Sequence, residues 1–244
     1  MGIEGKRILV VGGGSGIGYA VAEAALAEGA TVVVASSNPQ KIAAAAARLG
    51  QGAEGRPLDV TDEAQVKAFF DADHAFDHIA YTAGDWAGGM RRGGLESLDL
   101  AAAGEGFKVR FWGAVTVAKH GARRLPDGGS YTLTNGTIAH RPSKGSFIST
   151  AMAGGIEHLT RGLAVELAPI RVNCVCPAMI RTEIWDTLIP AEIREERIAL
   201  ITQRQLIPRI GTPEETAQAY LYSMKGGYTT GQVLMVEGGV MLGG

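Results

Sequence analysis

The sequence predicts an α/β protein built on one doubly wound parallel sheet of seven strands, with helices on both faces. Short apolar, β-branched segments alternate along the chain with longer Ala-rich segments of helical period. Such alternation is typical of β-α-β units, whose right-handed crossovers produce a parallel sheet. The strand segments are continuously apolar, as expected where helices cover both faces of the sheet.

The individual elements follow from this pattern. Strands are predicted at residues 7–11, 31–35, 55–58, 78–81, 130–134, 170–175 and 232–236, and helices at 16–28, 39–49, 62–71, 98–124, 146–168 and 213–224. No linker-like segment interrupts them, so residues 1–244 are interpreted as a single domain. Residues 179–209 break the alternation and contain Trp185, Pro190 and Pro208. We expect this segment to form a flap near a substrate site.

Composition argues against several kinds of partner. The chain has 244 residues and a formal net charge of −2, so no overall positive field favours nucleic acid or an acidic membrane. No apolar run has the length of a membrane span, and the N-terminal residues lack an apolar signal core. A small-molecule substrate and a cytoplasmic location are the resulting expectations.

The two cysteines, Cys174 and Cys176, are interpreted as small buried side chains in a reducing compartment. They are separated by one residue, and we expect them to point to opposite faces of one strand and to form no disulfide. No second pair of ligands with the spacing of a metal site accompanies them. We therefore predict no metal.

A glycine-rich segment lies between the first predicted strand and the first predicted helix. Residues 11–18 have the sequence VGGGSGIG, which contains the spacing G-x-x-x-G-x-G. Glycines at these positions allow a tight turn and let the backbone approach a pyrophosphate, to which the helix N-terminus offers free N–H groups. This context predicts a dinucleotide site of the Rossmann type rather than a merely structural turn. The loop residues predicted to contact the cofactor are Gly12, Gly14, Ser15, Gly16, Ile17 and Gly18.

The glycine loop resembles the T-G-x-x-x-G-I-G motif of short-chain dehydrogenases, with Val11 in the Thr position. Residues 59–60, 81–84, 159–173, 177–182 and 230–239 are similar to further motifs of that family, in the same order. The resemblance implies a nicotinamide cofactor, hydride transfer and a Rossmann-type fold over nearly the whole chain. It also assigns cofactor contacts to Asp59, Val60, Ala83, Gly84, Pro177, Ile180 and Thr182.

The end of the second predicted strand indicates which nicotinamide cofactor to expect. An acidic residue there binds the ribose 2′-OH of NAD, whereas Arg accepts the 2′-phosphate of NADP. Ser36 stands where NAD enzymes of the family carry Asp, and Ser37, Asn38 and Lys41 follow it. Without a carboxylate nothing repels a phosphate, which favours NADP(H), with NAD(H) as the alternative. The same residues also suit a helix N-cap that has no role in specificity.

The positions that usually carry catalysis in this family depart from its pattern. The resemblance implies a Tyr-x-x-x-Lys pair, a Ser and an Asn, and the alignment places Ser149, Ala153, Gly136 and Arg110 at these positions, respectively. Two separate motif alignments agree on the spacing between Gly136 and Ser149. A serine hydroxyl without a neighbouring Lys is a poor general acid. We therefore expect the family's usual proton route to be missing.

Other side chains are candidates for the missing chemistry. Arg110 is expected either to replace the lost Lys charge and stabilise an oxyanion, or to pair with a structural carboxylate. His140 is the candidate acid because His titrates near neutrality, although a loop His is more often solvated. Ser149 and Asn135 are the remaining catalytic candidates. Asp85, Trp86 and Thr137 are expected to line the same pocket beyond the carboxyl ends of the strands.

Three functions fit these observations. The first is an NADP(H)-dependent oxidoreductase with an unusual acid or none, suited to a substrate such as an iminium or an activated alkene. The second is a non-redox enzyme for isomerisation, cyclisation or dehydration. The third is a catalytically silent binding protein that senses the nicotinamide cofactor or stabilises a partner. Members of this family often form tetramers or dimers, so the resemblance implies a homo-oligomer. The apolar surface for such an interface is expected at Phe111, Trp112, Val115, Phe147 and residues 240–242.

Overall fold

The computed structural model describes residues 2–72, 76–84, 94–183, 185, 190–203 and 205–243. Within these ranges the strands are β1 (Arg7–Val11), β2 (Thr31–Ser36), β3 (Ala53–Pro57), β4 (His78–Tyr81), β5 (Ser130–Thr134), β6 (Arg171–Pro177) and β7 (Val233–Val236). They form one sheet in the order β3-β2-β1-β4-β5-β6-β7, and every neighbouring pair is parallel. The predicted doubly wound, seven-stranded sheet is therefore confirmed.

Helices cover both faces of this sheet. They are α1 (Gly16–Ala27), α2 (Pro39–Leu49), α3 (Glu63–Ala72), α4 (Leu100–Phe107), α5 (Gly113–His120), α6 (Phe147–Glu166), α7 (Ala191–Thr202) and α8 (Pro213–Lys225). Side chains of β1 alternate between the faces: Leu9 belongs to a core with α3, α5 and α6, and Ile8 to a core with α1, α2 and α8. No helix in the described part of the chain is both long and apolar enough to cross a membrane.

Two predicted boundaries differ from the structure because pairing, rather than local hydrophobicity, determines them. β3 begins two residues before the predicted start, since Ala53 pairs with Val32 and the ladder continues to Pro57 opposite Ser36. β6 extends through Pro177 because its last residues pair with β7. The apolar residue Leu58, predicted to lie in a strand, follows β3 and is buried in the core.

The single helix predicted over 98–124 is wrong in detail. α4 passes into a π-helical turn, Lys108–Trp112, before α5 begins, and a separate 3-10 turn covers Ala122–Arg124. A π turn contains an extra residue and therefore rotates the side chains that follow, and such turns occur frequently at functional sites. Arg110 lies in the middle of this turn.

The segment 179–209, predicted as an irregular flap, contains a regular helix, α7. Its first residues are tied to the body of the protein, because Ile180 pairs with Gly211. Within the segment, the indole N–H of Trp185 donates to the carbonyl of Ile180 at 2.6 Å. Residues 184, 186–189 and 204 lie outside the described ranges. A flap function for this segment stays a prediction.

Candidate active site

The predicted site residues gather at one edge of the sheet, where the strand order reverses between β1 and β4. Gly12 follows β1, Asp59 follows β3, Gly84 follows β4 and Asn135 follows β5. Because the strands are parallel, their carboxyl ends share this edge, and ligands of such sheets bind beyond it at the point of reversal. Residues far apart in sequence thus line one cleft.

Gly12 and Gly18 have no room for a side chain. The backbone of Gly12 has a φ of +90°, and a Cβ there would lie 2.5 Å from the amide nitrogen of Ala83. A Cβ on Gly18 would lie 2.4 Å from the hydroxyl of Thr82, which itself donates to the carbonyl of Val11 at 3.0 Å. The turn after β4 therefore packs directly against the glycine loop. This close approach requires glycine at positions 12 and 18.

The N-terminus of α1 has the properties of a phosphate site. Ser15 is its N-cap residue but makes no side-chain capping hydrogen bond, and the first turn contains no acidic residue. The backbone N–H groups of Gly16, Ile17 and Gly18 belong to this first turn and have no partner within the helix. An uncapped N-terminus of this kind attracts a phosphate by hydrogen bonding and by the helix dipole. The loop therefore fits the pyrophosphate of a dinucleotide.

The segment after β6 lies over this loop. A Cβ on Gly16 would lie 2.9 Å from Cγ2 of Thr182, so the predicted nicotinamide contact is next to the predicted pyrophosphate contact. Pro177 ends β6 and Ile180 is buried, both on the path between the sheet and Thr182. The structure thus brings the predicted cofactor residues of the C-terminal half to those of the N-terminal half.

The residues after β2 partly serve the helix that follows. The Asn38 side chain accepts from the amide of Lys41 at 2.8 Å and caps α2, so the N-cap role considered for this segment is confirmed. The hydroxyl of Ser36 accepts from the amide of Asn38 at 3.2 Å, and Ser37 is exposed. The stem of Lys41 lies across the glycine loop, with its Cγ 3.3 Å from the position of a Cβ on Gly14.

The side chains of the residues after β3 make contacts within the protein. A carboxylate oxygen of Asp59 accepts from the amide of Thr61 at 2.9 Å and from its hydroxyl at 2.7 Å. The side chain of Val60 is buried in the core, where it would touch a Cβ on Gly113. Val60 can therefore contact a cofactor only through its backbone.

Arg110 lies on the turn after β4. A Cβ on Gly84 would lie 2.2 Å from its Nη2 atom, so the guanidinium rests directly against the glycine backbone. The buried Tyr81 occupies the first Asn position of the family motif, and its hydroxyl donates to the carbonyl of Val109 in the π turn. Burial raises the pKa of Tyr81 above its usual range, so the phenol stays protonated. Asp85 and Trp86 lie outside the described residues.

A buried carboxylate, Glu157, joins two of the predicted candidates. Its Oε1 atom accepts from Nδ2 of Asn135 at 2.8 Å and lies 2.6 Å from Nε2 of His140. Glu157 is 5% exposed. Sequence reasoning missed this residue, although a signal was present. It lies one helical turn after Ala153, on the helix face that otherwise carries buried residues such as Ile156 and Thr160.

The other positions that the alignment equated with the family's catalytic residues are Ser149 and Ala153, in the first turns of α6, and Gly136, which follows β5. Within the described ranges the hydroxyl of Ser149 has no hydrogen-bond partner, so the structure does not join it to Arg110 or His140. Ala153 is buried against the sheet. A Cβ on Gly136 would meet only the carbonyl of Pro177, at 3.9 Å, so this position has room for a side chain that the sequence does not supply.

The prediction that Cys174 and Cys176 face opposite sides of β6 is wrong, because side chains two residues apart on a strand share a face. Both face α6: Cys174 packs in the core with Ile156, and the sulfur of Cys176 lies within 4.8 Å of donor atoms of His140 and Glu157. Burial, reinforced by nearby Glu157, raises the pKa of the Cys176 thiol to about 12. These three donor groups are close enough to hold a metal ion, an arrangement the sequence did not reveal, although a protonated thiol is a poor ligand.

Comparison with known proteins identifies the family. The model of the family described as enoyl-(acyl carrier protein) reductase matches residues 11–241. The short-chain dehydrogenase/reductase fsr5 of Gibberella fujikuroi is 34% identical, over 98% of this chain and 96% of its own length. The chain belongs to the short-chain dehydrogenase/reductase family. The resemblance found in the sequence is thereby confirmed, and with it the Rossmann-type fold.

Solved structures agree with this assignment. The MalC reductase/Diels-Alderase of Malbranchea aurantiaca superposes with a TM-score of 0.89 at 32% identity, covering 98% of this chain and 97% of that one. A short-chain oxidoreductase of Pseudomonas aeruginosa, solved with NADPH and described as containing an atypical catalytic center, gives a TM-score of 0.88 at 25% identity, covering 96% of each chain. As a family member, this chain is an oxidoreductase by relationship, of a family that uses nicotinamide cofactors.

Proposed function

We propose that this protein is an NADP(H)-dependent oxidoreductase with an atypical proton-transfer site that acts on a small molecule. The observation that carries the proposal is the position of Lys41, whose stem lies across Gly14 while Ser36 stands at the end of β2 in place of an acidic residue. A 2′-phosphate at this point would meet an ammonium group and hydroxyl groups. The NADPH found in a structural neighbour supports the same choice.

The cofactor preference is tested by fluorescence titration with NADPH and NADH. Lys41→Met is expected to weaken NADPH binding about tenfold and to leave NADH binding nearly unchanged, because it removes one charge from the phosphate. Ser36→Asp is expected to reverse the preference, since a carboxylate repels the phosphate and binds the 2′-OH. Lys67→Met on α3, at the opposite face of the sheet from α2, is the control. Equal affinities for both cofactors in the unmodified protein would contradict the proposal.

The cofactor, when bound, supplies a hydride. The chain's own residues then have to bind the acceptor and manage one proton. Arg110 carries a permanent charge and stabilises negative charge that develops on the substrate. His140 exchanges the proton, because an imidazole nitrogen can both donate and accept one. Ser149 is assigned a hydrogen bond to the substrate, and Asn135 acts through Glu157, to which its side chain is bound.

This division of roles favours a substrate that needs little acid. An iminium carbon accepts hydride to give a neutral amine, so no proton is needed. When an activated alkene accepts hydride, the negative charge that forms is placed on the oxygen or other heteroatom of its electron-withdrawing group. A simple ketone would need the strong acid that the Ser149 and Ala153 positions do not supply. The test is NADPH consumption with one compound of each class. Turnover of the ketone alone, at a rate usual for the family, would rule out the atypical site.

A non-redox activity is the second candidate. One structural neighbour is described as both a reductase and a Diels-Alderase, so this fold is associated with cyclisation in that protein. If this chain also catalyses a cyclisation, product should form at an undiminished rate with NADP⁺ in place of NADPH. Dependence of every product on NADPH would leave reduction as the sole activity. Tight NADPH binding without any turnover would instead favour the silent binding protein.

We also propose that the chain forms a homo-oligomer. Trp112, Phe147 and Leu242 expose large apolar surface, in a family that commonly associates through the helices equivalent to α4–α6. Light scattering after size-exclusion chromatography tests this, and Trp112→Glu is expected to reduce the mass. A monomeric mass for the unmodified protein would contradict the idea. The cytoplasmic location and the single-domain boundary at 1–244 stay predictions.

A further inference from the structure

Glu157 is an internal carboxylate to which the family resemblance assigns no role. It lies between α6 and the carboxyl ends of β5 and β6, and a carboxylate buried without partners is strongly destabilising. Its Oε1 atom has two partners, Nδ2 of Asn135 at 2.8 Å and Nε2 of His140 at 2.6 Å. Both partners come from the segment that follows β5, so Glu157 ties that segment to α6.

We infer that Glu157 is a positioning residue for proton transfer: it holds the His140 imidazole with a proton on Nε2 and leaves Nδ1 to exchange a proton with the substrate. This inference rests on the proposed function, since the proton is needed only if the pocket reduces a substrate, such as an activated alkene, that hydride addition leaves negatively charged. The described residues give Nδ1 of His140 no hydrogen-bond partner, and 36% of its side chain is exposed. One edge of the ring therefore faces the buried carboxylate, while the other is accessible.

The proton step is balanced as follows. Hydride joins the acceptor carbon of an activated alkene, and the electron pair of the double bond moves by conjugation to the heteroatom of its electron-withdrawing group. The Nδ1–H bond of the imidazolium breaks, the proton joins the heteroatom, and neutral imidazole remains with its other proton on Nε2. Glu157 stabilises the imidazolium before transfer and takes no proton itself. The imidazole regains its proton from water at its accessible edge.

Asn135 has a supporting role in this arrangement. Its backbone amide donates to the carbonyl of Val175 at 2.8 Å, which anchors it to β6, and its side-chain amide then holds Oε1 of Glu157. The neighbouring Cys176 cannot substitute for the carboxylate, because the buried thiol keeps its proton. Asn135 is thus a positioning residue as well, rather than the catalytic residue suggested by its place after β5.

The test is the tautomer of His140, measured by long-range ¹H–¹⁵N NMR on the NADPH-saturated protein. His140→Gln identifies the His140 signals among those of the five histidines. The unmodified protein is expected to show neutral imidazole protonated on Nε2, and Glu157→Ala a mixture of both tautomers. Glu157→Gln should retain the tautomer, because its amide oxygen still accepts, but lose the charge. Its kcat should fall about 10- to 100-fold, with the KM for NADPH unchanged.

A matched control is Glu166→Gln, which removes the same charge from an exposed position on the same helix and should change neither readout. If Glu157→Ala does not fold, Glu157→Asp replaces it, and its shorter side chain is expected to produce the same mixing of tautomers. An unchanged tautomer in Glu157→Ala or Glu157→Asp would overturn the inference, as would an unchanged kcat in Glu157→Gln. If a chelator changed the His140 signal, Nε2 would be binding a metal ion and not a proton, and the inference would also be overturned. If no substrate is ever reduced, the proposed function fails, and the NMR result still decides whether Glu157 positions His140.

Discussion

The guanidinium of Arg110 lies so close to the turn after β4 that a Cβ on Gly84 would be 2.2 Å from its Nη2 atom. The π turn Lys108–Trp112 directs the side chain there, and the hydroxyl of Tyr81 binds this turn through the carbonyl of Val109. Glycine at position 84 therefore makes room for the arginine. This relationship connects Gly84, a predicted cofactor contact, to Arg110, which the sequence alignment placed at the family's Asn position.

Gly84→Ala is expected to displace Arg110 and to lower kcat as much as the loss of the arginine does. The new methyl group meets the flexible end of a side chain, so the free energy of unfolding should change by less than about 1 kcal/mol. The measurement is a double-mutant cycle: Gly84→Ala combined with Arg110→Met should be no slower than Arg110→Met alone. Gly94→Ala, which has open space around it, is the control. Additive losses in the double variant would show that the two residues act independently.

Arg110→Met is expected to lower kcat by about 100-fold or more, because it removes a fixed charge from the developing oxyanion. NADPH affinity should change little, since the cofactor phosphates are held by the glycine loop. Arg110→Lys keeps the charge but not the planar guanidinium, and should recover part of the loss. Stopped-flow turnover together with NADPH titration measures both effects. Unchanged turnover in Arg110→Met would leave the arginine a structural role only.

His78 is expected to make stability depend on pH. It is buried, with Nδ1 2.9 Å from the hydroxyl of Ser130, and burial lowers its pKa from 6.5 to about 4. Between about pH 6.5 and 4, the unfolded chain therefore binds a proton at His78 that the folded chain does not bind. The stabilisation is fully present above about pH 6.5 and is lost as pH falls from there through 4, by up to about 3 kcal/mol.

Urea unfolding at several pH values checks this expectation. His78→Gln should have a flatter dependence of the unfolding free energy on pH between about 6.5 and 4 than the unmodified protein. His158→Gln, which removes an exposed histidine of α6, is the control and should retain the original slope. Identical slopes for His78→Gln and the unmodified protein would contradict the assignment.

Arg171 is expected to be a major source of stability far from the cleft. Its Nη1 atom donates to the carbonyls of Ser223 and Gly226, and its Nη2 atom to those of Met224 and Gly128. Three of these carbonyls lie at the end of α8, where helical carbonyls lack partners. Arg171→Met should cost about 3 kcal/mol of unfolding free energy, and Arg171→Lys less, since an ammonium reaches fewer acceptors. A loss below about 0.5 kcal/mol in the Met variant would refute this role.

Much of the fold was predictable because it depends on local patterns. Apolar strands, Ala-rich helices and the glycine loop each have signals within a few residues, and their order leaves little freedom in topology. The errors occurred where a partner decides the outcome. The bounds of β3 depend on β2, and the π turn at Arg110 on the packing around Tyr81. The placement of Cys174 and Cys176 failed for a different reason, since strand periodicity alone puts them on one face.

The candidate site also has one part that the sequence predicts and another part that is seen only in the folded structure. The cofactor residues could be predicted from sequence because pyrophosphate binding uses backbone groups, and glycine spacing indicates where the backbone must come close. Their contacts with a cofactor stay a prediction. Glu157 could not be assigned a role, since a single acidic residue within a helix is usually solvated. Only its burial, and the approach of two side chains from another segment, distinguishes it.

From the sequence alone, the parallel sheet and its glycine loop were determined, because each is a matter of residue type and spacing. The departures at Gly136, Ser149, Ala153 and Arg110 rest on the motif alignment and stay a prediction. Tertiary structure decided which side chains come together near these positions. The turn after β5 and the helix α6 meet only when both pack on the sheet, and that packing places His140 2.6 Å from the buried Glu157. Hydrogen bonds act over about 3 Å, so chemistry of this kind exists only once the chain has folded.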